Sequence, residues 1–255
     1  MKLQVDSNHY IDTDQPIDIS IPLQQGPLNV NAWYCNPVSI EPVRTEHFTG
    51  SVKEGGTVNF RNISLNPHGN GTHTECLGHI TEEVYSINDT LQTFWFEAFL
   101  ISISPEKIHH EKYNDEDQVI TLQQVQEAFK DYQNESAVVI RTLPNEKEKL
   151  THQYSNDNPP YIAAEAMQWI VDHTQVKHLL IDLPSVDREI DEGVLACHHI
   201  FWNVPQNPDY EKTITELVYV PNEIEDGRYF LNLQITSIVN DASPSKPVLY
   251  KIHVL

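Results

Sequence analysis

Residues 121–142 read TLQQVQEAFKDYQNESAVVIRT and residues 159–183 read PPYIAAEAMQWIVDHTQVKHLLIDL, and these two stretches decide the fold class. Each opens with apolar residues at helical spacing, which are Leu122, Val125, Phe129 and Tyr132 in the first and Ile162, Ala166, Trp169 and Ile170 in the second. Each then ends in a short apolar run, AVVIRT or HLLIDL, typical of a buried strand. A helix that alternates with a buried strand predicts an α/β fold.

Strand patterns flank these helices on both sides. Before them, PIDISIPL (16–23) alternates Ile17, Ile19 and Ile21 with polar residues, and TFWFEAFLISIS (93–104) is rich in aromatic and β-branched residues. After them come TITELVYV (213–220), RYFLNLQI (228–235) and PVLYKIHVL (247–255). We therefore expect one α/β domain in which helices flank a mixed sheet rather than a purely parallel one.

Composition limits the classes of partner. The formal charge of -21 would repel phosphate backbones and anionic membrane surfaces, so nucleic acid is not expected as a partner. The amino-terminal stretch has no signal-peptide core, and no run approaches the roughly 20 apolar residues that cross a bilayer. The three cysteines form no C-x-x-C pair, so we expect a soluble protein of the reducing cytoplasm.

The stretch NPHGNGTHTECLGHI, residues 66–80, concentrates side chains that bind metals. Four candidate ligands fall within twelve positions of a glycine-containing loop: His68, His73, Glu75 and His79. In such a loop, imidazoles and a carboxylate can converge on one divalent cation such as zinc or manganese. The alternative is a polar surface loop with solvated histidines. Cys76 lies in the same loop, and we expect that it is not a ligand.

Two further candidates lie far along the chain. His198 and His199 are adjacent in the apolar stretch LACHHIFW (195–202), so at most one of them can face a given ion. Strand alternation places Glu216 on the same face as Ile214, Val218 and Val220, where an unpaired carboxylate is costly to bury and a metal would be a suitable partner. An exposed glutamate on an edge strand is an equally good interpretation of Glu216 alone.

Together these residues resemble a known family. IDISIPL, GTHTECLGH, IRT, LLIDLPSVD, CHH and TELVYVPNEI occur in the order found in the cyclase family of metal-dependent hydrolases, which includes bacterial kynurenine formamidase and isatin hydrolase. The resemblance spans nearly the whole chain. It implies a single domain over residues 1–255 with a swivelling β/β/α, barrel-like mixed sheet.

The resemblance also assigns roles to residues. It makes His73, Glu75, His198 and Glu216 metal ligands and His79 the catalytic acid/base. The family pattern His-x-Gly-Thr-His-x-Asp-x-Pro-x-x-x-His places its first histidine where this chain has Gly69, so His68 is a ligand only if the loop bulges. Glu75 and Leu77 stand where aspartate and proline are usual, which indicates a divergent member.

The implied activity is hydrolysis of a small amide, formamide or lactam by metal-activated water, with one or two zinc or manganese ions per chain. A cyclase or dehydratase acting on a polyketide-like substrate and a non-catalytic metal-binding oligomer are the alternatives. The resemblance implies a homodimer or homotetramer. Asp182, Ser185 and Asp187 are expected to support the site or its loops, and Trp33, Phe94 and Trp95 either line an aromatic pocket or pack in the core.

Overall fold

The computed structural model describes residues 1–113 and 115–255, with only the backbone of Asp115. Its α-helices are α1 Pro67–Asn70, α2 Ile87–Thr90, α3 Leu122–Ala128, α4 Ala164–His173 and α5 Ala196–Trp202. Its strands are β1 Lys2–Gln4, β2 His9–Asp12, β3 Ile17–Asp18, β4 Ser39–Pro42, β5 Arg44–Thr45, β6 Phe48–Thr49, β7 Arg61–Ser64, β8 His73–Glu75, β9 Trp95–Ile103, β10 Glu106–His110, β11 Asp115–Ile120, β12 Ala137–Thr142, β13 Tyr161–Ile162, β14 His178–Ile181, β15 Thr213–Glu216, β16 Gly227–Ile235 and β17 Ala242–Val254. Short 3-10 helices cover Val52–Glu54, Leu77–Ile80, Phe129–Asp131 and Lys147–Leu150.

Seven strands form a closed, barrel-like sheet. Its order is β17-β16-β9-β12-β14-β15-β8, and β8 pairs with β17 to close the ring. The central strands β9, β12, β14 and β15 are parallel, whereas β8, β16 and β17 pair antiparallel. The mixed α/β sheet predicted from the sequence, in a single barrel-like domain, is therefore confirmed.

The sheet buries both of its faces. Alternate residues of the parallel strands, such as Val138 and Leu179, pack against Met167 and Ile170 of α4. The residues between them, such as Val139, pack with Leu100 and Leu231 inside the barrel. Burial on both sides explains why these strands read as nearly continuous apolar runs.

The helices form where the periodicity predicts them, with one correction. Thr121 and Gln124 complete a capping box at the start of α3, since each side chain bonds the backbone of the other. Ile162 does not belong to the second helix. It ends β13, pairs with Ile120 of β11, and α4 begins two residues later.

Two strand predictions extended too far. The Ile17–Ile21 pattern gives only the two-residue β3, although Ile19 and Ile21 are buried. Strand β15 ends at Glu216 because Leu217 adopts a left-handed backbone conformation at φ 54°. Val218 and Val220 consequently enter the barrel interior instead of continuing on the face of Ile214 and Glu216.

Candidate metal centre

The pairing of β8 with β15 brings three of the predicted site residues together. His73 and Glu75 lie two residues apart on β8 and so share one face, and both are fully buried. Glu216, the last residue of β15, is the register partner of His73. His73 Nε2 consequently lies 3.4 Å from Glu216 Oε2.

The one-turn helix α1 places His68 beside Glu75. Asn66 caps this turn by accepting a hydrogen bond from the Gly69 amide at 3.1 Å. The turn directs His68 into the site, where its Nδ1 lies 3.0 Å from Glu75 Oε2. A Cβ atom at Gly69 would lie 2.5 Å from Cys35 Sγ, so the position that holds the histidine in the family pattern has no room for a side chain here.

Helix α5 separates the two adjacent histidines. His198 is buried, and its Nε2 lies 3.1 Å from Glu75 Oε1, while its Nδ1 lies 2.6 Å from Asp187 Oδ2. His199 instead directs Nδ1 to the Val204 carbonyl at 3.1 Å. Of the pair, the structure brings His198 to the cluster.

His79 lies at the edge of this cluster. The 3-10 helix Leu77–Ile80 carries it, and its Nδ1 is 3.4 Å from Asp241 Oδ2 and 3.8 Å from Glu75 Oε2. About 31 % of its side chain is exposed, whereas the side chains of His73 and His198 are at most 3 % exposed. Among the four histidines of the cluster, His79 has the best access to solvent.

Asp241 is a member of the cluster that the sequence did not indicate. Its Oδ2 lies 2.9 Å from His68 Nε2 as well as facing His79. It sits just before β17 in the stretch NDASP, whose composition is that of an ordinary turn. No motif or periodicity in the sequence could have singled it out.

The cluster fits a divalent cation. Ligand atoms of His68, Glu75 and His79 lie within 4.8 Å of one another, and so do those of His73, Glu75 and Glu216, so the two groups share Glu75. His73 donates through Nδ1 to the Gly71 carbonyl at 3.0 Å, but among the described residues its buried Nε2 has no hydrogen-bond partner. Nitrogen and carboxylate donors with one unsatisfied imidazole nitrogen are the set expected for a divalent metal.

Burial and neighbouring charges shift the pKa values of two side chains of the site, His68 and Glu75. Burial disfavours a charged His68, but the carboxylates of Asp241 and Glu75 outweigh this effect and raise its pKa to about 10. Burial likewise opposes ionisation of Glu75, yet the imidazoles of His79, His198 and His68 hold the pKa of its carboxyl well below the usual value. Without a metal, imidazolium groups supply the positive charge that balances these carboxylates.

The cluster opens into a cavity of about 310 Å³. His68, His79, His198 and Glu216 line its floor, and Trp33 and Leu195 contribute walls. A larger cavity of about 670 Å³ lies between the end of β9 and α3, but its described lining holds no histidine. Of these two cavities, the one over the cluster therefore has the side chains that a metal-dependent reaction needs.

Other residues singled out in the sequence have mainly structural contacts. Asp187 supports His198, Ser185 Oγ accepts the Asp187 amide at 3.0 Å, and Asp182 bonds Thr142 and Lys149 at the strand ends. Phe94 and Trp95 are 37 % and 42 % exposed and lie neither in the core nor at this cavity.

Cys76 is buried, and its thiol faces the Tyr85 carbonyl at 3.3 Å. His109 and His110 lie on β10, outside the cluster. In the described part of the chain, no helix is long and apolar enough to cross a membrane.

Comparisons with known proteins identify the family and the fold of the chain. The chain belongs to the Cyclase family, whose model matches residues 17–188. No curated protein sequence matches it. The match ends before His198, Glu216 and Asp241, so those three residues enter the site through the fold described above.

Solved structures show the same fold at low identity. A potential metal-dependent hydrolase with cyclase activity is 18 % identical with a TM-score of 0.64, over 92 % of this chain and 97 % of that one. Isatin hydrolase A from Labrenzia aggregata, bound to benzyl benzoate, is 14 % identical with a TM-score of 0.64, over 92 % and 93 %. Isatin hydrolase A from Ralstonia solanacearum is 13 % identical with a TM-score of 0.63, over 92 % and 91 %.

Proposed function

We propose that this protein is a metal-dependent hydrolase that cleaves the C–N bond of a small amide, formamide or lactam. The observation that carries the proposal is the buried, unsatisfied His73 Nε2 in a His/Glu cluster beneath a cavity lined by His79. The similar isatin hydrolases support the reaction class, since the hydrolysis of isatin opens a lactam.

The residues that would hold the ion are His68, His73, Glu75, His198 and Glu216. Their nitrogen and carboxylate donors, without a thiolate, suit zinc or manganese, and two groups that share Glu75 give room for one or two ions per chain. The bound ion would supply a Lewis acid that activates water and polarises the substrate carbonyl.

His79 would move the proton. Because its Nδ1 faces the Asp241 and Glu75 carboxylates, its Nε2 is the nitrogen left to exchange protons with water or substrate. A histidine at this place can take the proton of the attacking water and return it to the leaving nitrogen. Its access to the cavity is what distinguishes it from the buried imidazoles.

The cavity sets the size and charge of the substrate. A volume of about 310 Å³ accommodates a single ring system rather than a peptide. Arg188 also lines this cavity, but Asp117 binds its guanidinium through Nε at 2.8 Å and Nη2 at 3.0 Å. Because that charge is neutralised, the site favours a neutral substrate, and Trp33 offers it an aromatic wall.

Purified protein of known metal content, assayed against isatin, N-formylkynurenine and a panel of simple amides, tests this function. We expect turnover of at least one amide that is lost on metal removal and restored by zinc or manganese. His73→Ala is the matched control, since it should abolish both metal and turnover. Turnover only of a dehydration or ring-closure substrate would instead support a cyclase or dehydratase.

Bound metal without turnover of any substrate would support a non-catalytic metal-binding oligomer.

We also propose where the protein acts and what it binds. We expect it in the cytoplasm, as a homodimer or homotetramer that takes a small-molecule substrate and has no nucleic-acid or membrane partner. The acidic charge and the three unpaired cysteines support these assignments. We also propose that residues 1–255 act as one functional unit.

A further inference from the structure

We propose that Asp241 is a positioning residue of the metal centre, which holds His68 as a ligand in place of the histidine that Gly69 excludes. This inference rests on the metal dependence of the proposed function. It assigns a role to a residue that lies outside the stretch matched by the family model.

Closure of the barrel fixes the backbone of Asp241. Its neighbour Ala242 opens β17 and is the register partner of Glu75 on β8. The Asp241 carbonyl also accepts a hydrogen bond from the Cys76 amide at 3.0 Å, and the Asn240 carbonyl accepts one from Ile87 at 2.8 Å. The backbone of Asp241 is therefore held at the start of β17, where that strand meets β8.

The carboxylate then determines which nitrogen of His68 faces the site. Its Oδ2 lies 2.9 Å from His68 Nε2, so that nitrogen donates to Asp241, and Nδ1, 3.0 Å from Glu75 Oε2, is the nitrogen left to bind a metal. Asp187 has the same relation to His198. It binds the Nδ1 nitrogen of His198 at 2.6 Å, and the other ring nitrogen, Nε2, faces Glu75. A carboxylate behind a histidine ligand is a common arrangement that orients the ring and increases its basicity.

Asp241 supports the ligands and does not join them. Its Oδ2 contacts Nε2 of His68, whereas the other ring nitrogen, Nδ1, is the one that faces Glu75. His68 has particular need of such support, because it reaches the site from a single helical turn and 20 % of its side chain is exposed. Without Asp241, solvent would compete for the ring and several rotamers would be open to it.

Asp241→Asn tests the inference, because it keeps the shape and removes the charge. Metal-free parent and variant are titrated with zinc against a chromogenic chelator, and the cobalt form is followed by its absorption spectrum. We expect the affinity of the ion held by His68 to fall about tenfold to a hundredfold, with a changed cobalt spectrum. Any second ion, held by His73, Glu75 and Glu216, should keep its affinity within about twofold.

Asp226→Asn is the matched control. Asp226 also joins two elements, since it accepts hydrogen bonds from Ser102 at 2.7 Å and from Arg141 at 2.9 Å, but it lies away from the metal cluster. Its loss should leave zinc affinity within about twofold of the parent. Asp241→Ser replaces the asparagine variant if the latter does not melt cooperatively.

A double-mutant cycle separates positioning from general structural support. In a His68→Ala background, Asp241→Asn should change zinc affinity by less than about twofold, because the ring that it positions is gone. An equal loss in both backgrounds, or an affinity of Asp241→Asn equal to the parent's, would overturn the inference while leaving the proposed function intact. A parent protein that binds no zinc would overturn both.

Discussion

His73 and His79 lie six residues apart in one loop, and their surroundings predict different roles for them. His73 is inaccessible to solvent and has an unsatisfied nitrogen near Glu216, whereas His79 is partly exposed on the cavity wall. Both rings lie among possible ligand atoms. Burial and exposure therefore separate a ligand from an acid/base more clearly than spacing does.

We predict that His73→Ala loses metal and activity together. His79→Ala should keep most of its metal and lose about a hundredfold to ten-thousandfold in turnover, which is the usual effect of deleting a general acid/base. Metal analysis and steady-state kinetics on the same preparations measure both effects. Cys76→Ala is the control within the loop and should retain its metal.

If His79→Ala lost metal as completely as His73→Ala, His79 would be a ligand, and the proton-transfer mechanism would be wrong. If His79→Ala retained both metal and full turnover, its acid/base role would be excluded and another group would have to move the proton.

At the scale of elements, the one-turn helix α1 shows how a local change in backbone shifts a functional residue by one position. Asn66 begins the turn, and Gly69 packs against Ala32 and Cys35 so closely that no side chain fits there. The turn and the close contact explain how His68, out of register with the family pattern, still reaches Glu75.

We predict that Gly69→Ala destabilises the protein by about 1–3 kcal/mol, the usual cost of overpacking. The new Cβ would lie 2.5 Å from Cys35 Sγ and 2.8 Å from the Ala32 carbonyl oxygen. Urea unfolding of Gly69→Ala, Cys35→Ala and the double variant measures the effect. Cys35→Ala should recover part of the loss but not all of it, because the backbone contact remains, and full tolerance of Gly69→Ala would contradict the packing described here.

Strand β14 begins with a buried histidine that affects stability and lies outside the metal cluster. His178 packs on Phe96 with ring centroids 4.0 Å apart, and its Nδ1 lies 2.9 Å from Thr213 Oγ1. Burial, followed by the neighbouring Lys177, lowers its pKa from 6.5 to about 4. The folded state therefore keeps this ring neutral.

We predict that His178 makes the protein less stable as the pH falls from 6.5 to about 4, because the unfolded chain binds a proton that the folded chain does not. The stability that comes from keeping this ring neutral is fully present above pH 6.5 and is lost as the pH falls towards 4. Between pH 7 and 5 the free energy of unfolding should fall by about 2 kcal/mol for this reason. Urea unfolding of metal-free His178→Gln at both pH values should not show this fall. The exposed His47→Gln is the control, and an unchanged pH dependence in His178→Gln would contradict the prediction.

At the scale of the whole molecule, the net charge of -21 opposes the association of two copies of the chain. Like charges on two copies repel, and salt screens that repulsion over about 10 Å at 0.1 M. Apolar side chains on β7 and before it are available for contact, since Ile63 is 63 % exposed and Phe60 is 58 % exposed.

We predict a homodimer or homotetramer of the 29.3 kDa chain whose association strengthens as salt is added. Light scattering across protein and salt concentrations measures this. Ile63→Glu should weaken association if β7 lies in the interface, and a monomer mass under every condition would contradict the prediction of an oligomer.

The sequence by itself determined the fold class and indicated most residues of the candidate site. Helical spacing around Val125 and Ile170 and the apolar runs of β12 and β14 are local patterns, so they could be predicted without a structure. The histidines and the glutamate of residues 66–80 are likewise close together in the sequence. Short-range periodicity and spacing suffice for such features.

Only the tertiary structure decided the remaining parts. His68 and Asp241 are 173 residues apart and meet because β17 closes the barrel on β8. The choice of His198 over His199 depends on how α5 packs, and the end of β15 depends on one left-handed residue, Leu217. Such contacts follow from the closure of a sheet and the packing of a helix, which leave no periodic trace in the sequence.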